Sequence, residues 1–221
     1  MAEGGNPNPN IETVKVTLLG SSGVGKTCII KRYTDNIFDE NSQSTSGASY
    51  SHNILEIDGN KSIQLDLWDT AGQEKYRSLG RHFYKDSYIV CLVYDITNPQ
   101  SFEDLKEKWY KDLKSYGEKY TVLAVVGSKS DCYENEEVKE EVAREYAKSI
   151  GATFMLTSAK TGDNINNLFE TLVRQYLGPE FTKKVQEIKK DKGEVTKVTT
   201  ETAKEEKGKK KKKGWLLLNK I

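Results

Sequence analysis

Eight residues near the start of the chain, Gly20-Ser21-Ser22-Gly23-Val24-Gly25-Lys26-Thr27, carry chemistry in both their types and their spacing. They match G-x-x-x-x-G-K-[ST] and lie between an apolar run, VKVTLLG (14–20), and the start of a helical pattern at Cys28 to Tyr33. The glycines let successive backbone N–H groups turn inward around a phosphate, at a helix N-terminus whose dipole favours anions. There Lys26 reaches the β- and γ-phosphates of a nucleotide, and the Thr27 hydroxyl ligates Mg2+. A second stretch, Trp68-Asp69-Thr70-Ala71-Gly72-Gln73-Glu74, follows another apolar run. Asp69 suits a carboxylate that holds Mg2+ through water, Gly72 admits a backbone N–H beside a γ-phosphate, and Gln73 orients an attacking water. The two stretches imply a bound nucleoside triphosphate and its hydrolysis. Neither identifies the base.

Both must be held by a scaffold, and the apolar pattern supplies one. VKVTLLG reads as a buried strand, and SHNILEIDGNKSIQLDLWD as two strands about an Asp58-Gly59 turn. YIVCLVYD (88–95) and TVLAVVG (121–127) carry apolar residues on both faces, as strands covered on both sides do. Phe102, Leu105, Trp109 and Leu113 recur at helical spacing, which predicts core packing for Trp109. EEVKEEVAREYAKSI (136–150) reads as helix, ATFMLTS (152–158) as a last strand, and Leu168 to Leu177 as a last helix. Strands alternating with helices predict an α/β fold, with a mostly parallel sheet covered on both faces and ligands at the carboxyl ends of its strands.

Composition narrows the function further. Of 221 residues, 36% are hydrophobic and 30% charged, enough for one core with polar material left over. The net charge of +1 conceals an asymmetry: from Phe181 onward there are 14 lysines against 6 acidic residues, whereas residues 1–180 carry 20 basic and 27 acidic ones. An acidic body with a basic tail is not the footprint of a nucleic-acid-binding domain. Residues 1–11 and 178–221 are expected to be disordered extensions of a folded domain at 12–177. No run approaches the ~18 apolar residues of a spanning helix, and MAEGGNPNPN lacks the blocks of a signal peptide. Cys28, Cys91 and Cys132 have no metal-ligand spacing and fit free thiols of the cytosol.

With these motifs in place, residues 12–177 resemble a small GTPase of the Ras superfamily, a P-loop G domain with a six-stranded sheet and helices on both faces. The resemblance implies that Ser22, Gly23, Val24, Gly25, Lys26, Thr27 and Cys28 surround the phosphates and that Phe38 packs near the base. It makes Thr45, eighteen residues beyond Thr27, the switch threonine, which binds Mg2+ and γ-phosphate only in the triphosphate state. Gly127-Ser128-Lys129-Ser130-Asp131 and Thr157-Ser158-Ala159-Lys160 are similar to the family's base-reading loops. Asp131 would accept from guanine N1–H and N2–H2, which adenine does not offer in that pattern. The Lys129 stem would lie over the base, and the Ala159 N–H would donate to O6. Lys26, Thr45 and Gln73 would support catalysis, with GTP and Mg2+ bound and GDP retained after hydrolysis. The sequence contains no obvious arginine finger, so turnover is expected to be slow until a GTPase-activating protein supplies positive charge in trans.

Within the superfamily LDLWDTAGQEKYRSL, LVYDITNPQSF and FEDLKEKW are similar to Rab sequences, and QSTSGASY and KYRSL lean toward the endocytic Rabs. That branch implies a monomer on the cytosolic face of endomembranes, meeting exchange factors, activating proteins and effectors through its switches. Ser46, Tyr50, Trp68 and Phe83 would face effectors, although Trp68 and Phe83 equally suit the core. The chain departs from the pattern at Ser128, where the family usually has asparagine. The expected outcome is retained guanine selectivity with looser binding. Switch I, NSQSTSGASYS, is also unusually polar, with Ser46 where a large aliphatic residue is usual. A scaffold without hydrolysis is the alternative, opposed by Thr27, Thr45, Asp69 and Gln73; a metabolic P-loop kinase is a weaker one. At the far end KKKKKGWLLLNKI (209–221) follows a Rab-like linker, but no cysteine stands beyond Cys132 to take a prenyl group. Lys209–Leu218 would then make a weak contact with an anionic membrane; an altered terminus and a solvated tail are the other readings.

Overall fold

The computed structural model describes residues 11–42, 45, 47–57, 61–70, 86–116 and 122–178. The Asp58-Gly59 turn lies outside them, and so do the predicted extensions 1–11 and 178–221 except for Ile11 and Gly178. In chain order the elements are β1 (Glu12–Leu19), α1 (Lys26–Asp35), β2 (Ala48–Ile57), β3 (Lys61–Thr70) and β4 (Ile89–Asp95). Then comes α2, built as Pro99–Asp104, a wider π-helical stretch Leu105–Tyr110, and Lys111–Tyr116. β5 (Val122–Ser128), a 3-10 turn at Ser130–Asn135, α3 (Glu140–Ser149), β6 (Thr153–Leu156) and α4 (165–178) complete the order. Two units divide the chain, Met1–Tyr176 and Leu177–Ile221, and of the second only residues 177 and 178 are described.

One sheet runs β2-β3-β1-β4-β5-β6. β2 is antiparallel to β3 and every other pairing is parallel, as the alternating pattern predicts. Every residue of β4 and β5 is buried, which is why neither shows alternation: each has a covered face on both sides. On one face Leu19, Leu92 and Val125 join Phe102, Leu105, Trp109 and Leu113 of α2 and Ala143 and Ala147 of α3 in a single core. Each large side chain there contributes about 1.5–3 kcal/mol of burial. On the other face Tyr33 of α1 stacks on Phe169 of α4, ring centroids 4.0 Å apart. No helix among the described residues is long and apolar enough to cross a membrane.

The helix expected over 136–150 starts only at Glu140. Glu136 and Lys139 are extended, and the Glu137 and Val138 N–H groups both donate to the Ile96 carbonyl at 2.9 and 3.0 Å. Buried Val138 is pinned to the end of β4, and this tertiary anchor overrides the local helical pattern.

Where β1 meets α1 the backbone needs glycine. A Cβ on Gly20 (φ +151) would lie 2.2 Å from the Val93 carbonyl oxygen, so only glycine lets the chain turn past β4. Gly25, at φ +96, caps α1 in the left-handed region. The carboxyl ends of β1, β3, β5 and β6 thereby reach the same edge of the sheet.

Candidate functional site

That edge opens into a cavity of about 350 Å3 whose wall includes Ser22, Gly23, Gly25, Lys26, Thr27 and Cys28 from the β1–α1 loop. Lys26 is only 5% exposed, and its ammonium donates to Gly20 O at 2.7 Å and Ser21 O at 3.0 Å. Burial pushes the ammonium down to about 8, and the Asp69 carboxylate partly opposes it. Val24, named with its neighbours from the sequence, is buried under the loop rather than facing the cavity.

Three elements bring oxygens together beside Lys26. The Thr27 hydroxyl of α1 donates to Asp69 Oδ2 of β3 at 2.5 Å, and Thr45, ahead of β2, donates to the same oxygen at 3.1 Å. The two hydroxyls are 2.7 Å apart. Asp69 is buried, and its other oxygen, Oδ1, has no hydrogen-bond partner among the described residues. A carboxylate with a spare oxygen beside two hydroxyls is a set of hard oxygen donors, and it fits Mg2+.

The cavity wall also includes Phe38, Glu40, Ser128, Lys129, Asp131, Ala159 and Lys160. Ser158 is buried behind it and orients Asp131: its hydroxyl donates to Asp131 Oδ1 at 2.6 Å while accepting from the Thr161 N–H at 3.1 Å. Lys129 has a left-handed backbone (φ 61), and its ammonium meets Asp95 Oδ2 at 2.5 Å. Ser128 is 2% exposed, and its hydroxyl lies 2.5 Å from Val24 O and 2.8 Å from Tyr94 O. The shorter side chain thus still ties β5 to the phosphate-binding loop.

Tyr50 and Trp68 face each other across the β2–β3 pair, ring centroids 5.6 Å apart. Tyr50 is exposed at 49%, and Trp68 is half-buried under the Lys15 ammonium. Ser46, Gly72, Gln73 and Phe83 lie outside the described residues. The sequence reading missed Arg32, Glu40 and Asp95. Arg32 Nε donates to Ala159 O at 2.6 Å, Lys160 pairs with Glu40 at 2.7 Å, and Asp95 holds Lys129. No local pattern marks them, because each works through a partner far away in the chain.

Fold and cavity together are those of a P-loop nucleotide-binding α/β domain. The Ras family model matches residues 15–178. Rab-31 of Mus musculus is 44% identical over 172 residues, 77% of this chain and 87% of that protein. Human Rab-31 is 44% identical over 165 residues, covering 75% and 84%; rice Rab5A is 38% identical over 172, covering 78% and 84%. The chain belongs to the Ras family of small GTPases, in its Rab branch. It is a GTP-binding switch of vesicle traffic that hydrolyses GTP.

Proposed function

We propose that this switch reads guanine with Asp131, Lys129 and Ala159, grips the phosphates with residues 22–28, and senses the γ-phosphate through Thr45 and Gly72. The observation that carries the reading is the convergence of Thr27, Thr45 and Asp69 oxygens within 2.5–3.1 Å at a cavity whose wall also includes Asp131 and Ala159. Thr27 and Thr45 would hold Mg2+ directly and Asp69 through water; when bound, the ion neutralises charge on the phosphates. Lys26, its charged form favoured further beside a phosphate, offsets negative charge that grows at the β–γ bridge, and the N–H groups of the loop do the same. Gln73 orients the water. Loss of the γ-phosphate removes what Thr45 and Gly72 bind, which frees both switches. The protein comprises a G domain at 12–177 between an extension at 1–11 and a basic tail at 178–221. It works as a monomer on the cytosolic face of endomembranes, of endocytic type. Exchange factors, activating proteins and effectors meet it at the switches, the last through Ser46, Tyr50, Trp68 and Phe83.

The test is direct. Purified protein with Mg2+ retains GTP and not ATP, and releases phosphate slowly. Gln73→Leu should lower phosphate release by at least tenfold, about 1.4 kcal/mol of barrier, with GTP retention unchanged. Wild-type turnover in that variant refutes the role of Gln73, and retention of GTP by the unmodified chain without any release points to the scaffold.

A further inference from the structure

Arg32 stands in the last turn of α1, six residues beyond Lys26 and about 9 Å along the helix axis. Its guanidinium spends every side of its fork on backbone. Nε donates to Ala159 O at 2.6 Å, Nη2 to Lys160 O at 3.0 Å, and Nη1 to both Asn36 O and Asn36 Oδ1 at 3.0 Å. The Asn36 bonds close the left-handed end of α1, while the other two leave the helix and cross 127 and 128 positions of sequence. A planar, permanently charged donor of this shape fixes two carbonyls at once, and its bonds to them are charge-assisted.

The two carbonyls bear on the group that would read the base. The peptide carrying the Ala159 N–H is held on its carbonyl side, where Ser158 O accepts from the Gly162 N–H at 2.8 Å. The next peptide is held by Arg32 at Ala159 O. With the peptide planes on both sides fixed, the φ and ψ of Ala159 are fixed, and with them the direction of its N–H. The same helix that carries Arg32 begins at the phosphate-binding loop. α1 is therefore a strut with one end on the phosphates and the other on the base-reading loop.

We propose that Arg32 is a positioning residue for base recognition: its fork holds Ala159 and Lys160 so that the Ala159 N–H meets the O6 position of guanine. The inference rests on the reading of Ala159 given above and extends it to a residue outside the cavity wall. Arg32 thereby sets how much of the affinity for GDP depends on O6.

The experiment is a cycle between the protein and the base. Binding of GDP and of 6-thioguanosine diphosphate, which keeps the N1–H and the 2-amino group that Asp131 would read and replaces O6 by a weaker sulfur acceptor, is measured for the unmodified chain, Arg32→Ala and Arg32→Lys. Replacing O6 should weaken binding to the unmodified chain about tenfold, and Arg32→Ala should weaken GDP about tenfold, but the two losses should not multiply. Arg32→Lys, with one point charge in place of a fork, should behave like Arg32→Ala and provides a second variant should the first fold poorly. Equal weakening of both ligands by both variants, or no weakening, overturns the positioning role alone. If replacing O6 by sulfur costs the unmodified chain nothing, the Ala159 assignment falls and this proposal falls with it.

Discussion

At the scale of single residues, the cavity is built from side chains that hold the backbone as much as from side chains that would hold a ligand. Ser128 is the clearest case. A serine hydroxyl has one proton, and here two buried carbonyls, Val24 O and Tyr94 O, lie 2.5 and 2.8 Å from it. Removing that donor takes away the hydrogen bond the two carbonyls share at a buried position, at a cost of about 1–2 kcal/mol. Ser128→Ala should therefore lower the thermal midpoint by several degrees and speed GDP release, since Val24 belongs to the phosphate-binding loop. An asparagine at the same place has a longer arm with both donor and acceptor, which adds a bond toward the nucleotide. GDP dissociation from Ser128→Asn, followed with a fluorescent GDP, should be slower by about tenfold. Dissociation as fast as from the unmodified chain would mean that serine already supplies all that this position gives.

At the scale of elements, α2 carries most of one face of the core and also touches the phosphate-binding loop. Trp109 is 4% exposed, and its indole Nε1 lies 3.4 Å from the Ser21 hydroxyl, which donates to Asp104 Oδ2 at 3.1 Å. Trp109→Ala opens a large cavity and should cost about 3–5 kcal/mol, whereas Trp109→Phe keeps much of the volume and should cost under about 1.5 kcal/mol. Urea denaturation midpoints for the three proteins check this, and equal losses would place the energy in the indole N–H instead of the packing. The tryptophan was legible from its spacing with Phe102, Leu105 and Leu113, because a buried helical stripe is a local property. β4 and β5 were legible for a similar reason: unbroken runs of apolar or small residues, Ile89–Tyr94 and Val122–Ser128, admit little but a strand covered on both sides. The start of α3 was not, since the Ile96 carbonyl that captures the Glu137 and Val138 N–H groups lies on another element. The Arg32 fork escaped for the same cause. Residues whose types suggest a chemical task, such as Lys26, Thr27, Asp69 and Asp131, could be singled out in advance, and the structure has Lys26, Thr27 and Asp131 in the cavity wall with Asp69 against Thr27. The residues that aim them, Asp95 at Lys129 and Arg32 at Ala159, could not.

At the scale of the whole molecule, charge is divided in a way that bears on where the switch works. Residues 1–180 carry a net charge of −7 and residues 181–221 a net charge of +8. An anionic membrane surface attracts the tail and repels the body, so any contact should favour the tail end. Each lysine near such a surface contributes about 1 kcal/mol, and screening at physiological salt limits that attraction to within ~8 Å. Lys209–Lys213 are followed directly by Trp215–Leu218, an apolar group that can enter the headgroup region once the lysines bring it close. The expected binding is therefore weak, reversible and dependent on both charge and salt. Sedimentation with vesicles should show it: the full chain should pellet with vesicles containing phosphatidylserine at low salt, remain in solution with neutral ones, and be released by high salt. A chain ending at Gly208 should stay largely in solution under every condition, and replacing Trp215 with Ala should give an intermediate fraction. If the full and shortened chains pellet alike, these thirteen residues do not hold the switch to a membrane, and the division of charge needs another explanation.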